Sequence, residues 1–221
     1  MDIGIIPARG GSKSIPDKNL VKINGRSLVA RAIRCALDAK LDKVIVTTDN
    51  LRIADEAESS GAIVIHRPDH LATDTSSSES AIMHVLDSLD LDLKLSINNV
   101  AFLQATSPFT SYVDLRKALD LVTPRNSVFS AVNFHNFLWE LDSNLWNPLG
   151  HEKTHRKMKQ ELKPTVMETG NFYCFPRVLF ESTKNRFCGE PLPAFVDSST
   201  TMQIDSSEDL LLAEKLSMLF P

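Results

Sequence analysis

Ile6-Pro7-Ala8-Arg9-Gly10-Gly11-Ser12-Lys13-Ser14-Ile15-Pro16-Asp17-Lys18-Asn19-Leu20 is the stretch on which the reading of this chain turns. It follows a short apolar run, Ile3 to Ile6, of strand character. It precedes Ser27-Leu28-Val29-Ala30-Arg31-Ala32-Ile33, which reads as a capped helix start. A strand therefore feeds a loop, and the loop feeds a helix. Gly10 and Gly11 let the backbone turn sharply and present N–H groups with no side chain in the way. Arg9, Lys13 and Lys18 bring three positive charges to the loop, a combination suited to a polyanion such as a nucleoside triphosphate. The loop is not GxxxxGK[ST], because no Gly-Lys occurs, and it is not GxGxxG.

Outward from the loop, short β-branched runs alternate with helical periodicities. Val44-Ile45-Val46, Ala62-Ile63-Val64-Ile65, Val100-Ala101-Phe102-Leu103 and Val128 to Val132 read as strands of a sheet buried on both faces. Between them, helices are expected from Ser27, over Leu51 to Ser60, over Ser78 to Leu89 and over Val113 to Val122. The alternation implies βαβ units and a mostly parallel sheet. The rhythm breaks from about 134 to 167, where Phe134, Phe137, Trp139 and Trp146 precede a polar, basic stretch from His151 to Lys163. Two readings stand there: an excursion packing on a partner subunit, or an irregular loop whose aromatics cover the home core. Phe172-Tyr173-Cys174-Phe175 restores strand character, and Ser206-Ser207-Glu208-Asp209 opens a C-terminal helix in the manner of a capping box.

Bulk properties narrow the class. A length of 221 residues suits one α/β domain, 1–221, with a small excursion. A net charge of −4 with no basic stripe argues against nucleic acid as a partner. Cys35, Cys174 and Cys188 form no CxxC and fit a reduced, cytoplasmic setting. Ile3 to Ile6 is too short for a signal peptide, and no apolar run approaches the ~20 residues that would span a membrane. His151-Glu152-Lys153-Thr154-His155 satisfies H-E-x-x-H, but it follows a Pro-Gly breaker and sits among charges, so a solvated segment is the preferred reading over a zinc site.

From Ile6 to Asn19 the chain resembles the I-P-A-R-x-x-S-K-x-x-x-x-K-N signature of the acylneuraminate cytidylyltransferases (CMP-sialic acid synthetases). That family includes the CMP-pseudaminate, CMP-legionaminate and CMP-3-deoxy-octulosonate relatives. Further segments resemble it too: Thr47-Thr48-Asp49, in its own right a strand end with a helix cap; His66-Arg67-Pro68 through Leu71-Ala72-Thr73-Asp74-Thr75; Leu103-Gln104-Ala105-Thr106-Ser107-Pro108; Lys159-Gln160-Glu161-Leu162; Glu168-Thr169-Gly170-Asn171-Phe172-Tyr173; and Gln203-Ile204-Asp205-Ser206-Ser207-Glu208-Asp209-Leu210. Four of the departures from the family pattern bear on charge or hydrogen bonding. Thr110 stands for Arg, Lys159 for Arg, Thr169 for Asn, and Gln203 for the first of two aspartates.

The resemblance implies a three-layer α/β fold of the nucleotide-diphospho-sugar transferase (Rossmann-like) type, with a dimerisation excursion at about 134–167. It implies transfer of a cytidylyl group from CTP to an acidic nine-carbon or eight-carbon 3-deoxy-2-ulosonic acid by a homodimer. Arg9, Lys13 and Asp205 would be catalytic. Arg9, Gly11, Ser12, Lys13, Lys18 and Asn19 would bind the nucleotide. Arg67, Gln104 and Lys159 would contact substrate, and Asp205 would hold Mg²⁺ or another divalent cation. For Asp209 the reading from its own position, a first-turn helix residue, is preferred. Two rivals remain: a transferase acting on a sugar 1-phosphate, and a catalytically silent nucleotide-binding relative.

Overall fold

The computed structural model describes residues 1–12, 14–92 and 96–219. In chain order the elements are β1 (Asp2–Pro7), the short pair β2 (Lys22–Ile23) and β3 (Arg26–Ser27), α1 (Leu28–Asp38), β4 (Lys43–Thr48), α2 (Leu51–Ser59), β5 (Ile63–His66), α3 (Ser78–Asp92), β6 (Asn99–Leu103) and α4 (Tyr112–Asp120). Next come β7 (Val128–Asn133), β8 (Leu138–Asp142), β9 (Leu145–Leu149), β10 (Val166–Pro176), α5 (Arg177–Thr183), β11 (Leu192–Phe195) and α6 (Ser207–Leu216).

Seven strands form one sheet in the order β11-β7-β10-β6-β1-β4-β5. All neighbours pair parallel except at β10, which runs antiparallel to both β6 and β7. The expected mostly parallel sheet is therefore present, with one reversed strand. Along β1, Ile3 and Ile5 face a core shared with Ile82, Val85, Leu86 and Phe180 from α3 and α5. Ile6 faces the opposite core, shared with Val29, Ile33, Ile53 and Leu115 from α1, α2 and α4. That alternation gives a sheet covered on both sides, three layers in all. Each buried Ile or Leu contributes about 1.5–3 kcal/mol relative to exposure. Ser27 caps α1 by accepting from Ala30 N, and Asn50 caps α2 by accepting from Arg52 N and Ile53 N.

Parallel strands aim their carboxyl ends at one edge, which is where ligands collect in open α/β sheets. Pro7, Thr48 and Leu103 end there. β10 delivers its amino-terminal half to the same edge, because Phe172 pairs with Leu103. A third apolar cluster, Ile15, Ile23, Leu28, Phe109, Ile204 and Ala213, packs α6 and the segment before it under the Gly-rich loop.

The 134–167 excursion contains the antiparallel hairpin β8–β9. Its two tryptophans do not cover the home core, Trp146 being 61% exposed and Trp139 46%, whereas Phe134 and Phe137 are partly buried. His151 lies edge-on to the rings of Phe137 and Trp139, and the segment through His155 is not helical, so the two histidines of H-E-x-x-H do not share a helical turn. Among the described residues no helix is long and apolar enough to cross a membrane.

Candidate active site

Arg9 to Asn19 leaves the end of β1 and forms one wall of a cavity of about 420 Å³. Arg9, Gly11, Ser12, Ser14, Lys18 and Asn19 line that wall, facing Phe102, Gln104, Ala105 and Thr106 at the end of β6. The loop is braced from several sides. Gly10 N–H donates to Asp49 Oδ1 at 2.8 Å. Asn19 Nδ2 donates to the Arg9 carbonyl at 2.9 Å. Ile15 is buried in the cluster beneath α6. Asp49 thus does more than end a strand: it holds the backbone of the Gly-rich turn. No local sequence signal gives that contact, since Asp49 and Gly10 are brought together only by the pairing of β1 with β4.

Lys18 is the link to the C-terminus. Its Nζ donates to the Ile204 carbonyl at 3.1 Å and pairs with Asp205 at 3.2 Å. Ile204 N donates to the Thr106 carbonyl at 2.8 Å. One short segment therefore joins the phosphate-type loop to the Gln104 loop. The Asp205 side chain is 70% exposed. Among the described residues no group of three His, Cys, Asp or Glu side chains could hold a metal ion. A single exposed carboxylate fits an ion whose other ligands are phosphate oxygens and water, the usual habit of Mg²⁺. Gln203 does not complete a carboxylate pair; its Nε2 donates to the Thr169 carbonyl at 2.7 Å. Asp209 closes a capping box with Ser206, and its hydrogen bonds with Asp205 N and the Ser206 side chain hold its carboxyl below the usual range.

A second cavity of about 280 Å³ adjoins the first and shares Pro7, Arg9 and Ser78 with it. Arg67, Leu71, Thr73, Asp74, Ser76 and Ser77 complete it. Arg67 is only 5% exposed. Its Nη2 donates to the Thr47 carbonyl at 2.6 Å. Burial lowers its pKa, opposed by Asp49 and aided by Arg9. Arg67 is therefore a buried cation whose guanidinium is held at the end of β4. Arg9 pairs with Asp74 at 2.9 Å across this cavity. Thr110, which stands where a cation was expected, is polar glue: its Oγ1 donates to the Ser107 carbonyl and accepts from Asn171 Nδ2.

Of the residues named from sequence, Arg9, Gly11, Ser12, Lys18, Asn19 and Gln104 share the larger cavity, Arg67 lines the smaller one, and Asp205 touches Lys18 at the rim. Lys13 and the Lys159 side chain lie outside the described residues. The sequence gives Asp49 only as a strand end with a helix cap, and Ser78 and Phe102 only as helix and strand residues, with no role at the site for any of them. Ser78, at the first turn of α3, lines both cavities.

A family profile described as cytidylyltransferase matches residues 3–162. The chain is 34% identical over 184 residues to an N-acylneuraminate cytidylyltransferase of Oncorhynchus mykiss, an alignment covering 80% of this chain and 41% of that protein. It is 30% identical to the CMP-N,N'-diacetyllegionaminic acid synthase of Legionella pneumophila, covering 97% of this chain and 95% of that one. The chain thus spans less than half the length of the fish enzymes it matches. In three dimensions it is similar to a CMP:2-keto-3-deoxy-manno-octonic acid synthetase solved with CTP, at a TM-score of 0.75 and 16% identity, covering 100% of this chain and 99% of that one. That structural likeness bears on the fold alone, whereas the profile spans most of this chain and the Legionella alignment nearly all of it. With a mostly parallel sheet delivering a braced, cationic Gly-Ser loop to its ligand-binding edge, the chain belongs to the cytidylyltransferase family.

Proposed function

We propose that the protein joins CTP to a 3-deoxy-2-ulosonic acid of the sialic type, giving a CMP-sugar and pyrophosphate. The observation that carries the reading is the larger cavity, in which a cationic loop at the end of β1 faces the polar end of β6. The relatives that align with most of this chain bear names of that chemistry. The anomeric oxygen forms a bond to the α-phosphorus as the bond to pyrophosphate breaks, and the hydroxyl proton is released. Catalysis of this kind is mainly positioning and charge neutralisation.

Arg9, Ser12, Lys13 and Lys18 hold the triphosphate and meet the charge that builds on the leaving pyrophosphate. Asn19 acts by fixing the Arg9 carbonyl, and so the loop, more than by touching nucleotide. The smaller cavity suits the base, where the buried Arg67 guanidinium offers donors to the acceptor edge of cytosine. Gln104 offers a donor and an acceptor to the sugar, and Lys159 is the further candidate for a sugar contact. Asp205, with phosphate oxygens, would hold a divalent ion, which when bound neutralises phosphate charge and lowers the pKa of a nearby hydroxyl. The exposed hairpin, with Leu145, Trp146 and Trp139, forms a homodimer contact, because a monomer seldom leaves such a patch uncovered.

Pyrophosphate release from CTP with Mg²⁺ and a panel of ulosonic acids tests the activity. Release with one or more acids is expected. Release only with a sugar 1-phosphate, or with none of the acids, would refute it.

A further inference from the structure

β10 carries a bulge at the ligand edge. Glu168 and Tyr173 pair with Ala131 and Phe129 of β7, so the residues between them have no regular partners on that strand. Gly170 sits at its centre with φ +72. Three successive bulge carbonyls are instead satisfied from elsewhere. Thr169 O accepts from Gln203 Nε2 at 2.7 Å, Gly170 O from Ser107 Oγ at 3.4 Å, and Asn171 O from Gln104 N at 3.4 Å. Two of the three donors, Gln104 and Ser107, belong to the loop after β6. The third comes from the C-terminal segment. A Cβ on Gly170 would strike the Gln203 amide and would lie 3.1 Å from Gln104 Oε1, so both glutamine side chains converge on this one glycine.

We infer that Gln203 is a positioning residue: its N–H clamps the bulge and thereby sets where Gln104 stands on the acceptor side of the cavity. This rests on the transferase reading, in which Gln104 meets the sugar. The clamp needs a donor. An aspartate at this position could not donate at neutral pH and is one methylene too short to take the place of the glutamine amide at the Thr169 carbonyl. Gln203→Asp therefore damages the bulge and does not build a stronger cation site.

The test uses Gln203→Glu and Gln203→Met, two side chains of similar length that lack the donor. Hydrogen exchange of the 166–173 backbone should speed up in both variants without any substrate present. In kinetics, KM for the ulosonic acid should rise about tenfold while KM for CTP stays within about twofold, as expected for one lost hydrogen bond on the acceptor side. Unchanged exchange in both variants would overturn the clamp. So would a Gln203→Asp protein that binds Mn²⁺ more tightly than the parent and turns over faster. Because exchange needs no substrate, a parent enzyme that uses no ulosonic acid would sink the proposed activity and leave the clamp to be judged by exchange.

Discussion

The two glycines of the loop look equivalent in sequence, and the structure separates them sharply enough to predict opposite mutants. A Cβ on Gly10 would lie 2.7 Å from Asn50 Nδ2 and 2.8 Å from Asn50 Cβ. Its direction is fixed by the backbone, which Asp49 pins through the Gly10 N–H. The methyl cannot turn away, so Asn50 must move. Asn50 is the cap of α2, accepting at 2.9 and 3.2 Å. Losing a cap costs about 1 kcal/mol, and forcing a methyl into filled space costs about 1–3 kcal/mol. Gly10→Ala should therefore lose roughly 2–4 kcal/mol, with a melting temperature lower by roughly 4–16 °C at this chain length.

A Cβ on Gly11 meets nothing within 4 Å. Gly11→Ala should keep the parent's stability or gain a few tenths of a kcal/mol through a less flexible unfolded chain. Gly11 nevertheless lines the larger cavity. A methyl there crowds the approach of a phosphate, and a loss of about 1.4 kcal/mol would weaken CTP roughly tenfold. The assay is thermal melting of both variants beside calorimetric titration with CTP. If Gly11→Ala melts as low as Gly10→Ala, or Gly10→Ala melts with the parent, the reasoning is wrong.

Three further outcomes are expected. Lys13→Ala should slow turnover by the equivalent of roughly 2–4 kcal/mol of barrier while melting within about 2 °C of the parent, as expected for a truncation in a Gly-Ser-rich stretch of sequence; a variant with near-parental turnover would remove Lys13 from the mechanism. Arg67→Lys should weaken CTP binding and lower stability together, because a lysine cannot keep the guanidinium's bond to the Thr47 carbonyl and also present donors to the cavity; calorimetry showing parental CTP affinity would count against it. Cys35, Cys174 and Cys188 are all buried, and burial, helped by Asp38 and Asp114, pushes the Cys35 thiol up to about 12. Native protein at pH 8 should therefore leave an aromatic disulfide reagent unreacted until denaturant is added, and rapid labelling of the folded protein would contradict the packing.

Much of the fold was open to reading because its signals are local. Val44-Ile45-Val46 and Val100 to Leu103 are β-branched or apolar runs of strand length, and the Ser27 and Ser206 caps announce helices within a few residues. The reversal of β10 was not open to reading. Phe172 to Phe175 is as apolar as the parallel strands, and nothing within four residues encodes a direction. β11 escaped for another reason: Leu192-Pro193-Ala194-Phe195 has no β-branched residue, and Pro193 demotes it to an edge, where the structure does place it. In the site, types of residue were legible and partnerships were not. Arg67 could be named as a substrate contact, but its burial against Thr47 follows from the pairing of β4 with β5, which no local signal encodes.

The C-terminal segment shows why partnership matters more than motif here. Gln203, Ile204 and Asp205 lie far along the chain from the Gly-rich loop, yet Ile204 and Asp205 bond to Thr106 and Lys18 of the cavity lining and Gln203 to the strand beside it. Gln203 holds the β10 bulge, Ile204 N holds the Thr106 carbonyl, and Lys18 donates both to Ile204 O and to Asp205. Ile204 is fully buried beside Ile15 of the loop and Ala213 of α6. The apolar cost of undocking α6 therefore falls on the same contacts that set the positions of Lys18 and Gln104. A loop rich in glycine and charge has little intrinsic order of its own. Its geometry is supplied by strand ends on one side, through Asp49, and by this docked segment on the other. If the proposed nucleotide site is right, loosening the C-terminal helix should weaken CTP binding as well.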